Sequence, residues 1–405
     1  MEYQTLHTLN SLRVCMEFCV IHYHISFVNP FNNDFLSNYN LADNSMSFFF
    51  VLSGFCSMYS NLHTDFKEME VKMTFIKKRL WKMYPSFFIW YLLDLPGAIM
   101  SQNQEECLLF WLAIASQPFL LHPWLGCHHI GISNQVCWYL GTLFWLWFLF
   151  PFLNLKKFFA SHVWLKIIGL YILSLITWLI FYKFHIHYLR GVPVLRLCEF
   201  LMGCGAAFTL NKPLNGWLVL LIAFTFPLYC AITLEMPLLW PNEERNNECV
   251  LWAIRPQQNV TPTIFLSKFA LPFCLVIHYL ATNELASYRP LAFFHWEFFK
   301  TLNSFSLHTY LSHYIVACMI KSISTIIGIF HWWSLDVMLM ACYLIAYLAS
   351  NAELYLKQHI SLTFISYMPV SQENMEIQPV VNLFFLENQS DNSSQKQEKC
   401  TQEDI

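Results

Sequence analysis

The stretch Leu9–Val28, LNSLRVCMEFCVIHYHISFV, decides how this chain reads. It is apolar along most of its length, yet it carries Arg13, Glu17 and His24. At 100° per residue, the eleven steps from Arg13 to His24 make about three turns plus 20°, so both side chains leave one face of a helix. A rise of ~1.5 Å per residue sets them roughly 16 Å apart, about half the thickness of a hydrocarbon core. Glu17 falls on the same face, whereas His22 points the opposite way. Ionisable groups cost several kcal/mol in hydrocarbon. A cation and a titratable imidazole sharing one face therefore predict a polar cavity lined by protein.

The rest of the chain fits such a helix. It is 56% hydrophobic and 18% aromatic but only 12% charged, with a mean hydropathy of +0.42, where a soluble domain carries about 25% charged residues. The expected fold is all-α, a polytopic membrane bundle of ten spans at 9–28, 45–62, 84–100, 138–154, 162–182, 195–211, 215–233, 263–282, 304–323 and 335–355. The apolar piece at 108–121 contains Pro118 and is read as re-entrant or a half-helix. Residues 1–358 form one domain on this reading, and 359–405 a polar cytoplasmic tail expected to be disordered. The first segment carries Arg13 and Glu17 and has no small-residue cleavage site, so it is not expected to be a cleaved leader. A net charge of −3 argues against nucleic acid as a partner and leaves membrane lipids.

Orientation follows from the positive charges. With the N terminus cytoplasmic, sixteen of the 23 Lys and Arg fall on that side, six of them in 63–83, so both termini are expected there. Cys127 and Cys137 then lie on the outer side, where an oxidising compartment would allow a disulfide or leave two thiols. Asn259 begins an outer-loop N-glycosylation sequon, usable in a eukaryotic plasma membrane or endomembrane. His122, Cys127, His128 and His129 cluster without an acidic partner and are read as loop residues, with no metal expected.

Candidate site residues sort by depth. Near the cytoplasmic end lie Arg13 and the basic run that includes Arg79 and Lys82. Trp138, and Arg196 with Glu199 at i,i+3, enter from the outer side and are expected to meet His24 at one level. Ser306, Tyr310 and His313 share one face of the ninth span. The pattern is a basic inner mouth, suited to a polyanion such as a nucleotide phosphate, below a titratable histidine. Each residue also has a plainer role. Arg13 can anchor a helix end by snorkelling, the 67–82 run can contact anionic lipid, and Gly54 can serve close helix packing.

Six segments in order resemble the acyltransferase-3 family of integral membrane O-acyltransferases. They are Arg13 with His24, FFFVLSGF at 48–55, FIKKRLWKMYP at 75–85, Trp138-Tyr139-Leu140, RLCEFLMG at 196–203, and Ser306 to His313. The resemblance implies a ten-span enzyme that moves an acyl group from cytoplasmic acyl-CoA, acetyl-CoA above all, to a hydroxyl of a carbohydrate or lipid-linked acceptor. No permanently bound cofactor is implied. Arg13, Arg79 and Lys82 would engage the donor, and His24 would act as general base or transient acyl carrier, with Trp138, Arg196, Glu199, Ser306, Tyr310 and His313 around the substrates. The chain departs from the family where glutamates commonly follow Trp138; here Thr142, Leu143 and Phe144 stand. It also has Lys82 for a second arginine, and Glu17 in a stretch that is normally apolar. These departures keep a second reading open, a degenerate member that handles lipid or transports solute.

Overall fold

The computed structural model describes residues 6–28, 41–100, 107–125, 134–183, 191–219, 221–222, 225, 267–286, 297–327 and 334–364. Among these residues the secondary structure is helical, with no strand. In chain order the helices are α1 (His7–Val28), α2 (Leu41–Tyr59), α3 (Met69–Met100), α4 (Cys107–Ser116), α5 (Trp138–Leu149), α6 (Leu155–Phe158), α7 (Val163–Lys183), α8 (Pro193–Phe208), α9 (Ala270–Leu285), α10 (Glu297–Ser304), α11 (Ser306–Ile327) and α12 (Ser334–Phe364). The all-α expectation holds. The span at 215–233 lies largely outside the described residues, as do Cys127, His128, His129, Cys249, Asn259 and the chain beyond Phe364.

Boundaries differ from the sequence reading for identifiable reasons. α3 begins at Met69, well before the expected span, and continues through Pro85 and Pro96. Helices that pack against neighbours tolerate such prolines because other groups satisfy the freed carbonyls. α8 begins at Pro193, whose preset φ suits the first helical turn, behind an extended Val192. The apolar piece at 108–121 is a short helix, α4, ending in a turn before the tight turn at His122–Leu125, as a half-helix should.

The centre of the bundle is the α2–α8 crossing, which glycine makes possible. A Cβ at Gly54 would lie 1.8 Å from the Phe200 carbonyl oxygen, and one at Gly203 would lie 1.8 Å from that of Val51. The two backbones therefore touch, and Cys204 Sγ donates to the Gly54 carbonyl at 3.3 Å. α1 packs against α2 of this pair, and against α10 and α11. The α1 N terminus is capped from another helix. Glu284 at the end of α9 accepts the N–H groups of His7 and Thr8 at 2.7 and 3.1 Å, placing a carboxylate against the positive end of the helix dipole.

Loops converge at that same end. Asn154 caps α6 by accepting from the Lys157 N–H, and Lys156 Nζ donates to the Thr64 carbonyl at 2.7 Å, tying the segment after α5 to the segment after α2. The outward surface is apolar. On α7, Leu165, Ile168, Ile172, Ile176 and Ile180 recur at helical spacing and are exposed, a stripe that water would penalise and lipid would not. Val337–Leu356 is long and apolar enough to cross a membrane, and Ser45–Tyr59, Trp138–Phe152 and Val163–Trp178 are shorter apolar helices.

Candidate active site

α1 and α11 run parallel, and their polar residues meet as two rungs. Ser306 donates to Glu17 Oε2, and seven residues further along both helices His24 Nδ1 lies 2.9 Å from His313 Nε2. Seven residues is two turns, so the polar faces read in sequence on α1 and on α11 are the two sides of one seam. The rise puts the rungs about 10.5 Å apart along the axis.

Hydrogen-bond geometry fixes the tautomers. His313 Nδ1 lies 2.7 Å from the Tyr310 carbonyl oxygen, which can only accept, so Nδ1 carries the hydrogen. His313 Nε2 is then an acceptor and takes the Nδ1–H of His24. The basic nitrogen of His24 is consequently Nε2. Its ring is half-buried, edge-on to Tyr314 at 6.1 Å between centroids.

Below this pair is a cavity of about 40 Å³, walled by Arg13, Glu17, Tyr139, Ser306 and Tyr310 together with Phe49, Met83, Leu140, Leu143, Trp147 and Leu307. Arg13, Glu17 and Tyr139 are buried, and the Arg13 charge interacts with both of the others. Tyr310 donates its hydroxyl to the Val136 carbonyl at 2.6 Å, and its ring lies between those of Tyr139 and His313. Among the described residues, Glu17 Oε1 and the Tyr139 hydroxyl have no hydrogen-bond partner. A buried polar atom without a partner costs roughly 1–3 kcal/mol. Both atoms belong to residues that wall one cavity with a guanidinium, a place where a polar ligand group would be satisfied after a small side-chain rotation.

Beyond the cavity, toward the α1 N terminus, Arg79 lies over the rings of Phe75 and Trp147 at 5.4 and 5.2 Å. The sequence reading put Arg79 and Lys82 on an open basic mouth. Arg79 is instead buried, because it shares the inward face of α3 with Phe75, Met83, Ser86 and Trp90. Lys82, at the edge of that face, is half-buried, and Lys77 and Lys78 are exposed.

A second correction concerns Arg196 and Glu199, expected to meet His24. They pair with each other at 3.0 Å with no exposure of either side chain. Glu199 also accepts from Ser47 at 3.0 Å and from Ser267 at 2.5 Å. The guanidinium lies against Phe50, Trp138 and Trp178 at 5.2–5.9 Å. α8 carries these residues on the side facing α2 and α9, so they bind helices together, and Trp138 covers the arginine while its neighbour Tyr139 lines the cavity. Of the two cysteines expected on the outer side, Cys137 is a buried free thiol, and Cys127 lies outside the described residues.

A family model described as an acyltransferase domain matches residues 6–351. The chain belongs to the acyltransferase-3 family. No curated protein and no solved structure matches it. In this family member FFFVLSGF and RLCEFLMG build the glycine crossing and its ion pair, the other four segments gather around the cavity, and Phe49 and Trp138 cross that division, the first lining the cavity and the second covering Arg196.

The departures also acquire places. Thr142 donates to the Trp138 carbonyl and lies against the Gly191 carbonyl, Leu143 lines the cavity, and Glu17 brings a carboxylate to that cavity from the opposite wall. Sequence reasoning missed Tyr139 as a site residue, although its position beside Trp138 was available. It also missed His308, which accepts from Trp90 Nε1 at 3.2 Å and donates to Glu353 at 2.9 Å. His122 is fully buried against Gly141, and burial pushes its imidazole down to about 4. Among the described residues no group of three or more His, Cys, Asp or Glu gathers around a metal-sized space.

Proposed function

We propose that this chain is a multi-pass membrane acyltransferase that takes a short acyl group from cytoplasmic acyl-CoA and passes it to a hydroxyl presented near His24. The cavity between α1, α5 and α11 carries this reading: a guanidinium, a tyrosine hydroxyl and a carboxylate lie buried around apolar walls, directly below a histidine whose basic nitrogen is defined. Ten spans with both termini cytoplasmic remain the topology that best accounts for the sixteen cations, and the parallel course of α1 and α11, the first and ninth spans, supports it.

The roles follow from chemistry. The donor's acyl end reaches the cavity from the Arg79 side, where Met83 and Trp147 flank the way. About 40 Å³ is room for roughly three waters, which suits an acetyl group and not a long chain. Arg13 and the Tyr139 O–H stabilise the carbonyl oxygen as it becomes an oxyanion. His24 Nε2 takes the proton of the acceptor hydroxyl, and the hydrogen bond from Nδ1 to His313 holds the ring in that tautomer. Carbohydrate or lipid-linked hydroxyls are the acceptor class proposed.

Purified protein supplied with labelled acetyl-CoA tests the reading by release of CoA. His24→Ala should slow release at least ~10²-fold, the usual scale for general acid–base help, with normal abundance. His22→Ala, on the opposite face, should be mild. Unchanged release in His24→Ala would return the chain to the lipid-handling or transport alternative.

A further inference from the structure

Resting on this reading, we infer that Ser306 is a nucleophile that carries the acyl group between donor and acceptor, with Glu17 as its base. Ser306 donates its hydroxyl hydrogen to Glu17 Oε2, both groups wall the cavity, and both are buried. A hydroxyl bonded to a carboxylate is the arrangement that activates a serine. The remaining carboxylate oxygen, Oε1, and the Tyr139 hydroxyl are unpartnered among the described residues. If Ser306 served only to satisfy Glu17, neither the vacant acceptor nor the adjoining space would be needed.

On the proposed reading the donor enters from the Arg79 side and the acceptor from the His24 side, and a carrier lets CoA leave before the acceptor arrives. In the first half, the Ser306 Oγ–H bond gives its proton to Glu17 and Oγ attacks the thioester carbon. The oxyanion rests against Arg13 and Tyr139. Collapse breaks the C–S bond, and CoA leaves as the thiolate, which takes a proton from water. In the second half, an acceptor hydroxyl attacks the serine ester and gives its proton to His24, while Ser306 Oγ departs and recovers the proton held by Glu17. His24 then releases its proton to water, so the net change is transfer of one acyl group from CoA to the hydroxyl. The two rungs are about 10.5 Å apart along the axis, a gap that the acceptor oxygen and one bridging water span between the serine ester and His24.

The test incubates the full-length protein with [14C]acetyl-CoA without added acceptor, denatures it and maps the label. Wild type should hold label on Ser306. His24→Ala should hold more, approaching one acetyl per chain, because its second half is blocked. Glu17→Gln should label ~10²–10⁴-fold more slowly, Ser306→Ala not at all, and Ser306→Cys should give a hydroxylamine-labile thioester, which also shows that position 306 tolerates substitution. CoA release by wild type with full release by Ser306→Ala, or His24→Ala without label on residue 306, would overturn the carrier step and leave the acyltransferase reading standing. Absence of CoA release from wild type would overturn both.

Discussion

Two regions of this protein bury charge in helices, and they do so differently. Around Arg196 and Glu199 both carboxylate oxygens are bonded: they take the guanidinium, Ser47 and Ser267, three aromatic rings close over the arginine, and α2 and α8 are joined to the turn before α9. At Glu17 one carboxylate oxygen, and at Tyr139 the hydroxyl, lack a hydrogen-bond partner among the described residues, and both residues wall a cavity. A buried pair whose carboxylate is bonded at both oxygens holds a fold in one arrangement, and removing one partner from such a pair costs about 3–5 kcal/mol. A carboxylate bonded at one oxygen costs folding free energy, which the proposed function explains as an acceptor kept for a ligand. Both regions include family motif residues, so the motif alone does not separate them; the carboxylates differ, Glu199 bonded at both oxygens and Glu17 at one, beside a cavity.

The largest effect expected on the scaffold side is at the glycine crossing. Gly203→Ala would drive a Cβ into the Val51 carbonyl, a backbone atom that cannot swing aside. The variant should fail to accumulate as a folded protein, read as lost monodispersity in detergent. A folded, active Gly203→Ala protein would mean that α2 and α8 do not touch and that the scaffold half of the comparison is wrong.

A smaller effect separates an unpartnered atom from a functional one. His122 Nδ1 lacks a partner among the described residues, yet His122 is not a wall of the Arg13–Glu17 cavity. Its imidazole is held neutral to about pH 4 by burial, below the ordinary value of 6.5. The unfolded chain therefore binds the extra proton first, and stability is complete above about pH 6.5 and falls as pH drops toward 4. The loss should be on the order of 2 kcal/mol by pH 5. His122→Gln should flatten that part of the melting-temperature profile without changing CoA release. A fall in CoA release to the level of a cavity mutant would place His122 in the chemistry.

Much of the seam was legible in the sequence. Arg13, Glu17 and His24 on one face, and Ser306, Tyr310 and His313 on another, follow from helical period alone, and the structure joins the two faces at a constant offset. The partner of each face was not legible, because helical phase says where a side chain leaves its own axis and nothing about which helix stands opposite. Arg196 and Glu199 were misplaced for that reason: their entry depth agreed with His24, but α8 turns them toward α2. Arg79 was misjudged because a basic run looks like a surface, whereas its i−4 and i+4 neighbours, Phe75 and Met83, mark a buried face. Tyr139 was hidden by its neighbour Trp138, whose motif drew attention to the residue that covers the ion pair instead of the one that faces the cavity.

The comparison is tested most directly by removing the same charge from each region. Glu17→Gln and Glu199→Gln are made in the same background, and CoA release from acetyl-CoA is measured beside the melting temperature in detergent. Glu17→Gln should lose at least ~10²-fold in release and keep its melting temperature, while Glu199→Gln should lose stability and, in the fraction that remains folded, keep its rate. The opposite pattern, a stable Glu199→Gln without activity and an unstable Glu17→Gln with full activity per folded molecule, would contradict the division between scaffold and chemistry on which the account rests.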